Sequence, residues 1–273
     1  MGKFIKNNFK KRLRKIHQGW VSWRRKYIPL FFRRRTDPEM FQLVQFVSFA
    51  AGEIAAGARV LDAGAGDRPY RKYFKHIKYE STDFKNYESA SLTGGHDFIC
   101  SLDKIPKPDN HYDAIISTQV LEHVEYPQTV ADEFFRILRP GGKLFITVPQ
   151  AWGVHGEPYN FYYFTNFGLA SILQSAGFKI IFIKPRGGIF WLLGKIIKVV
   201  PAYIFLQHLY QKKEDVLKFN PDFLTVVLFP FYLLAVPFCQ IFIPFLFYYF
   251  DKLDRKKHFT LGYECYCIKP DLN

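Results

Sequence analysis

The sequence predicts an α/β fold in which helices cover both faces of a mostly parallel sheet. Between residues 40 and 183, short apolar runs that suit buried strands alternate with longer runs that suit helices. A glycine-rich turn follows the first strand, and a carboxylate ends the second. Hydrophobic residues make up 49% of the 273 residues, which is enough for a large core and too many for a disordered chain.

The individual elements follow from hydrophobic period and turn residues. Asp37-Pro38-Glu39 starts the first helix, Pro140-Gly141-Gly142 ends the second, and Gly177 ends the third. The predicted helices are 41–55, 130–138 and 167–176. The predicted strands are 59–62, 78–83, 96–100, 112–117, 143–148, 178–183 and, after a long interruption, 260–268.

The net charge of +14 is concentrated at the N-terminal end. Residues 1–35 contain 13 Lys or Arg and no acid, whereas residues 36–273 contain 25 basic and 24 acidic residues. Apolar residues recur every three or four positions from Ile5 to Phe31, which predicts a basic amphipathic helix. With Trp20 and Trp23 on its apolar face, this arm suits an anionic membrane surface better than RNA phosphates, which are the alternative.

The chemistry of the chain centres on the segment from Val60 to Gly66, in which a strand ends in Gly-Ala-Gly. Glycines at such a turn let the backbone approach a ligand closely. Asp83 ends the second strand, where a carboxylate is suited to bind a ribose diol. A nicotinamide-binding fingerprint would need a third glycine, and Pro69 stands at that position.

These segments resemble class I S-adenosylmethionine-dependent methyltransferases of the type-11 kind. The resemblance covers about residues 40–183 and 259–269, and its other blocks are 112–123 and 138–144. It implies a Rossmann-like seven-stranded methyltransferase sheet, helices on both faces, and a last strand that runs antiparallel between the fifth and sixth. It also implies S-adenosyl-L-methionine as the cofactor.

The resemblance further implies which residues bind this cofactor. The methionine end would lie against Asp62, Ala63, Gly64 and Gly66, and the ribose hydroxyls against Asp83. The remaining cofactor positions are Phe84 beside the adenine, Ser101 and Leu102 after strand three, and Gln119 after strand four. Ser101 stands where the family usually has an Asp that accepts a hydrogen bond from the adenine amino group, so we expect weaker cofactor binding.

Two histidines are candidates for the catalytic base that a hydroxyl acceptor would need. His155 lies in a His-Gly-Glu-Pro segment past strand five, where related enzymes have a similar segment on the substrate side; His123 follows strand four. The alternatives are a structural loop histidine for His155 and helix packing for His123. Tyr159 and Tyr162 are candidate substrate contacts.

A metal-dependent site is an alternative for the residues after strand four. Some relatives, including RNA 2′-O-methyltransferases, have Glu-x-x-Glu-His after strand four and a later His. Here Gln119 replaces the first Glu, which leaves Glu122, His123 and His155. Because an amide is a poorer ligand than a carboxylate, no metal is expected.

Residues 188–256 interrupt the alternation, and 223–250 are 28 consecutive residues without a charge. If the last strand joins the sheet, both ends of the insertion lie on the same side of any membrane. Two crossings would carry Lys195 and Lys198 into the bilayer, so a bent in-plane or re-entrant helical hairpin is favoured. Packing on the domain or a dimer interface is the alternative.

The domains predicted are a basic arm (1–35), a methyltransferase domain (36–187 and 257–273) and a membrane-associating insertion (188–256). The predicted function is methyl transfer to a lipid-linked or amphiphilic acceptor on the cytoplasmic side of a membrane, by a peripheral or monotopic protein. An RNA methyltransferase that uses the arm as a phosphate clamp, and a non-catalytic cofactor-binding module, are the alternatives.

Overall fold

A computed structural model describes residues 26–84, 95–213, 216–219 and 223–271. Contacts divide the chain into two units, of which the first contains Met1–Pro38 and Gly188–His258 and the second contains Glu39–Gly187 and Phe259–Asn273. Most of the predicted arm helix, with Trp20 and Trp23, lies outside the described residues.

Seven strands form the sheet of the second unit. The strands of the chain are β1 (Arg59–Ala63), β2 (Lys78–Asp83), β3 (Phe98–Ile99), β4 (Tyr112–Thr118), β5 (Leu138–Pro149), β6 (Lys179–Pro185), β7 (Tyr210–Lys213), β8 (Val216–Phe219) and β9 (Gly262–Ile268). The sheet order is β3-β2-β1-β4-β5-β9-β6, and β9 runs antiparallel to both of its neighbours. The predicted fold class, with an antiparallel last strand between the fifth and sixth, is confirmed.

Helices cover both faces of this sheet, which is why its central strands are apolar on both sides. Among the described residues, the helices are α1 (Leu30–Thr36), α2 (Pro38–Glu53), α3 (Pro127–Ile137), α4 (Asn166–Ser175), α5 (Ile189–Leu209), α6 (Phe223–Pro237) and α7 (Ile243–Phe250). The helices of the unit that contains the sheet are α2, α3 and α4, whereas α1, α5, α6 and α7 belong to the other unit. Successive residues of β1 enter opposite cores. Val60 joins a cluster with Phe46 of α2, and Leu61 joins one with Phe134 of α3.

Several element boundaries differ from the predicted ones. α3 begins at Pro127, because proline is well suited to the first turn of a helix, where its missing N–H costs no hydrogen bond. β5 begins at Leu138 and continues through the Pro-Gly-Gly turn. The prediction of one helix from Ile5 to Phe31 is wrong at its C-terminal end. Ile28 and Pro29 are not helical, because the proline nitrogen cannot donate a hydrogen bond, and a separate helix, α1, begins at Leu30.

In its described residues, the insertion contains the helices α5, α6 and α7 and the hairpin of β7 and β8, which the sequence did not predict. A π-helical turn, Phe238–Phe242, joins α6 to α7 directly after Pro237. The two ends of the insertion meet at Asp251, whose carboxylate accepts hydrogen bonds from Gly188 N–H at 3.0 Å and Trp191 N–H at 3.1 Å. Asp251 therefore caps the first turn of α5.

Within the described residues, one helical run is long and apolar enough to cross a membrane. It extends over Val226–Leu253, with a hydropathy of 2.2 in its most apolar window and none of that window buried. Its exposed side chains include Phe231 (64% exposed) and Leu234 (74% exposed). A soluble globular unit rarely exposes such a large apolar surface without a partner.

Candidate functional site

The glycine turn after β1 is held against the neighbouring strands. The Thr82 carbonyl accepts hydrogen bonds from the N–H groups of Gly64 and Ala65, both at 3.0 Å, and Ser117 Oγ donates to the Ala63 carbonyl at 3.1 Å. Gly64 has φ +77°. A Cβ there would lie 2.4 Å from Cγ2 of Val120, so this position admits only glycine without rearrangement.

Asp83 is fixed at the carboxyl end of β2 by two backbone donors. Gly66 N–H donates to its Oδ2 at 2.6 Å, and Phe84 N–H donates to its Oδ1 at 2.7 Å. A hydrogen bond therefore joins the glycine turn directly to the carboxylate that is predicted to bind the ribose. Phe84 is 45% exposed, and its ring lies 6.2 Å from that of Tyr159.

Asp62 lies beneath this turn and is only 2% exposed. Its Oδ2 accepts a 2.5 Å hydrogen bond from the Tyr79 hydroxyl. Burial raises the pKa of Asp62 to about 6, the Tyr79 bond opposes this, and the charge of Asp83 adds to it. Burial and the neighbouring Asp62 also raise the pKa of Tyr79, which keeps its proton.

The other predicted cofactor residues take different positions. Ser101 is exposed and follows Cys100, whose N–H donates to the Asp83 carbonyl at 3.3 Å. The Leu102 side chain is part of the core, so only its backbone is available to a ligand. Gln119 has φ +56°, and its side-chain amide donates to Thr147 Oγ1 at 3.2 Å.

These residues fit S-adenosylmethionine. Gly66 has open space within 4 Å of where a Cβ would lie, Asp83 presents an anchored carboxylate at the end of β2, and Phe84 offers an exposed ring. The sites that bind such cofactors in open α/β sheets lie at this same carboxyl edge.

The two predicted catalytic histidines lie side by side. Their ring centroids are 4.8 Å apart and the rings are nearly perpendicular. His123 Nδ1 contacts the Tyr159 carbonyl, and His155 Nδ1 lies 3.1 Å from the Gly153 carbonyl. Burial lowers the pKa of His123 more than the Tyr159 carbonyl raises it, and His155 lowers it further. His123 is therefore neutral at pH 7 and can accept a proton.

Asn160 fixes the loop that carries His155. Its Oδ1 accepts hydrogen bonds from His155 N–H at 3.2 Å and from the Tyr163 hydroxyl at 2.9 Å. Of the predicted substrate contacts, Tyr159 is 45% exposed, while the Tyr162 hydroxyl donates to the Glu125 carbonyl at 2.9 Å. Tyr159 therefore has the freer ring for contact with a substrate.

Two buried charges near these histidines were not among the predicted site residues. Glu122 is fully buried, and burial raises its pKa to about 7 against the opposing influence of its own backbone N–H and of Arg186. Arg186 is also fully buried, and burial lowers its pKa to about 10. Arg186 donates to Glu39 Oε1 and to the Val148 carbonyl, each at 3.1 Å. The position of Arg186 directly after a strand is the feature of the sequence that could have identified it as a site residue.

Comparison with known proteins agrees with this arrangement. A ubiquinone/menaquinone biosynthesis C-methyltransferase (UbiE) of Chromobacterium violaceum is 30% identical over 126 residues, covering 41% of this chain and 51% of that protein. An uncharacterized methyltransferase of Mycolicibacterium vanbaalenii is 33% identical over 120 residues, covering 41% and 47%. The chain thus spans about half the length of the curated relatives that it matches.

Among solved structures, the [4+2]-cyclase SpnF has a similar fold, with a TM-score of 0.53, 15% identity, and coverage of 85% of this chain and 81% of that chain. Because a fold alone does not define a reaction, this likeness concerns the architecture only. The family described as "Methyltransferase domain" matches residues 32–182, more than half of the chain. The chain therefore belongs to the methyltransferase-domain family, and its cofactor is S-adenosyl-L-methionine.

Proposed function

We propose that this protein transfers the methyl group of S-adenosylmethionine to a lipid-linked or amphiphilic acceptor at a membrane surface. The observation that carries the proposal is the combination, in one chain, of a methyltransferase domain and a unit with the exposed apolar run Val226–Leu253. A protein that acts on water-soluble acceptors has no need of such a surface.

The residues at the strand ends have distinct roles in this proposal. The turn at Gly64 and Gly66 gives the cofactor close access to the backbone, and Asp83 would accept hydrogen bonds from both ribose hydroxyls. Phe84 would contact the adenine. The bound cofactor supplies an electrophilic methyl group, so the protein's contribution is alignment and proton removal.

The histidine pair would supply that proton removal. His123 is held by the Tyr159 carbonyl and is neutral at pH 7, and His155 lies against its ring. A neutral imidazole can take a proton from an acceptor hydroxyl as the oxygen attacks the methyl carbon. Tyr159, exposed beside Phe84, would contact the acceptor.

The first unit has further features of an interfacial surface. Arg35 lies 3.5 Å over the Phe31 ring and donates to the Tyr249 hydroxyl at 2.6 Å, so a basic group lies among aromatic side chains. Basic and aromatic residues together favour the headgroup region of an anionic bilayer. Lys198, costly in a bilayer if unpaired, forms an ion pair with Asp37 at 3.2 Å.

The names of the relatives support an amphiphilic acceptor. The Chromobacterium violaceum protein is named for C-methylation in ubiquinone/menaquinone biosynthesis, and such quinones are lipid-soluble. We therefore include quinone-like molecules, glycolipids and lipid-linked saccharide precursors in the acceptor class.

The test is transfer of labelled methyl from S-adenosylmethionine into separate membrane-lipid and RNA extracts, with Asp83→Ala as the control for cofactor binding. We expect label in the lipid extract with the native chain and at least a 10-fold loss with Asp83→Ala. Label in RNA alone would instead identify the basic arm as a phosphate clamp. No label in either extract, with cofactor binding retained in calorimetry, would favour a non-catalytic cofactor-binding module.

Membrane attachment is tested separately by flotation with vesicles of phosphatidylcholine and phosphatidylglycerol. A Phe231→Glu/Leu234→Glu variant should bind these vesicles at least 10-fold more weakly while keeping cofactor affinity. Phe167→Glu is the matched control, because Phe167 is an exposed aromatic residue (78%) of the methyltransferase unit. Equal flotation of all three proteins would contradict the proposed attachment surface.

A further inference from the structure

Glu122, His123 and His155 form a compact group at the carboxyl ends of β4 and β5. One ligand atom from each side chain lies within 4.8 Å of the other two, and among the described residues no other group of three or more such side chains does so. Glu122 is fully buried, and the histidines are partly buried. A carboxylate and two imidazoles are a common donor set for divalent transition metals.

Both histidines are oriented as metal ligands usually are. In each ring, Nδ1 lies against a backbone carbonyl, that of Tyr159 for His123 and that of Gly153 for His155. A carbonyl can only accept, so Nδ1 carries a proton in each ring, and the neutral form of each ring has its lone pair on Nε2. Metal-binding histidines nearly always donate their second N–H in this way, which fixes the tautomer and the ring orientation.

Glu122 supplies an independent observation that points to a cation. Both carboxylate oxygens are buried, and neither has a hydrogen-bond partner. The nearby cation, Arg186, directs its Nη1 to Glu39 and its Nη2 to the Val148 carbonyl instead. A buried carboxylate without a partner is unfavourable, and a bound divalent ion would remove that cost.

The backbone around this group is held in place. The Glu122 carbonyl accepts a hydrogen bond from Phe161 N–H at 2.8 Å, which ties the loop carrying His155 to the helical turn carrying Glu122 and His123. Gly156, at φ +68°, approaches closely: a Cβ there would lie 3.2 Å from Cε1 of His123. Asn160 Oδ1 accepts a hydrogen bond from the backbone N–H of His155 at 3.2 Å. The three side chains are therefore pre-positioned rather than adjacent by chance.

We infer that Glu122, His123 and His155 bind a divalent transition-metal ion, with Zn²⁺ as the best match to a carboxylate and two imidazole nitrogens. Ligands of a tetrahedral zinc ion lie about 3.4 Å apart, so the side chains would close by at most about 1.5 Å. Three protein ligands leave a fourth position open for an oxygen of another molecule. This inference replaces the expectation of no metal, which rested on Gln119 alone.

The role of the ion rests on the proposed function, but its binding does not. If the protein methylates a hydroxyl, the ion would bind the acceptor oxygen at its open position and stabilise negative charge there. His123 and His155 would then act as ligands, and the ion would take over from them the task of promoting loss of the hydroxyl proton, which would pass to water. The binding experiment therefore uses no cofactor and no acceptor, so that failure of the metal site and failure of methyl transfer are distinguishable.

The experiment uses the full chain without a histidine tag, stripped of metal by a chelator. Zn²⁺ is titrated while the shift in Tm is followed, and Co²⁺ is titrated while its visible absorption is followed, with Mg²⁺ as the hard-cation comparison. The variants are Glu122→Gln and His155→Ala, and the matched control is His111→Gln, a histidine that packs on Tyr112 away from the group.

We expect one equivalent of Zn²⁺ or Co²⁺ to bind to the native chain and to His111→Gln. Glu122→Gln and His155→Ala should each weaken binding at least 10-fold. Glu122→Gln keeps the shape of the side chain and removes a buried charge, so its metal-free Tm should not fall. The proposal is overturned if the native chain binds neither ion, if Glu122→Gln binds as tightly as the native chain, or if the cobalt spectrum shows thiolate charge transfer.

Discussion

The hydroxyl of Tyr79 donates a 2.5 Å hydrogen bond to Oδ2 of Asp62, one residue before the end of β1. Burial raises the pKa of Asp62 from 3.8 to about 6 despite this bond. Between about pH 4 and pH 6 the folded chain therefore holds a proton that the unfolded chain releases. The contribution of Asp62 to stability falls as the pH rises through this window, by about 3 kcal/mol in all.

Asp62→Asn should remove this pH dependence and make the cofactor-free protein about 2–3 kcal/mol more stable at pH 7, since an amide oxygen still accepts the bond from Tyr79. Urea unfolding from pH 4 to pH 8 measures the effect. Asp97→Asn is the control, and its effect on stability should have the opposite sign. Burial raises the pKa of Asp97, but hydrogen bonds from Ser81 lower it more, so this carboxylate stabilises the fold when charged. A parallel pH profile for Asp62→Asn and the native chain would contradict the prediction.

Gly64→Ala should destabilise the domain and abolish measurable cofactor binding. The added Cβ would lie 2.4 Å from Cγ2 and 2.7 Å from Cγ1 of Val120, at a φ of +77°. Overpacking and backbone strain together predict a loss of about 2–4 kcal/mol in urea unfolding. Gly66→Ala, with no atom within 4 Å of its Cβ, should lose only the strain contribution.

The clash at Gly64 can be separated from the strain by a second substitution. Val120→Ala removes the two methyl groups that the Cβ would meet, so the double variant should recover about 1–2 kcal/mol relative to the sum of the single changes. If the stability losses of the two single variants simply add, the loss in Gly64→Ala does not come from this contact.

Ser101→Asp should strengthen cofactor binding about fivefold in calorimetry. Ser101 is exposed next to the strand end that carries Asp83 and, by resemblance, accepts from the adenine amino group. A charged acceptor makes a hydrogen bond about 1 kcal/mol stronger than a neutral one. Ser101→Ala should weaken binding slightly; an unchanged affinity in both variants would mean that the adenine does not contact this residue.

Arg186→Met should cost about 3–5 kcal/mol of folding free energy, because it leaves Glu39 and the Val148 carbonyl without their buried donor. Adding Glu39→Leu should recover part of that loss, since the carboxylate that lost the bond to Arg186 is then removed as well. Chemical unfolding of both single variants and the double variant measures the coupling. A loss below about 1 kcal/mol for Arg186→Met would show that the pair contributes little.

The sequence allowed the sheet to be predicted because each strand has its own local signal. β2 was predicted over the residues that it occupies, Lys78–Asp83. β5 was predicted to begin five residues too late, because pairing of Leu138 with Tyr112 extends the strand through glycines that locally favour a turn. Long-range pairing of this kind leaves no local pattern.

The candidate site likewise combines residues whose positions the local sequence predicts with residues whose positions it does not. The turn at Gly64 and the carboxylate of Asp83 belong to one continuous motif, so their proximity could be expected from spacing. The burial of Glu122 without a partner and the position of Arg186 depend on how β4, β5 and β6 pack together. Nothing in the residues next to them along the chain specifies those surroundings.

The hydrogen bond from Gly188 N–H to the Asp251 carboxylate brings the start and the end of the insertion together. An insertion whose two ends lie together in this way can change in length without altering the path of the strands before and after it. Selection could therefore lengthen, shorten or replace the insertion while leaving the strand ends and their glycine turn intact. The segment that we propose attaches the protein to a membrane and the residues of the cofactor site are thus encoded in stretches of sequence that can evolve separately.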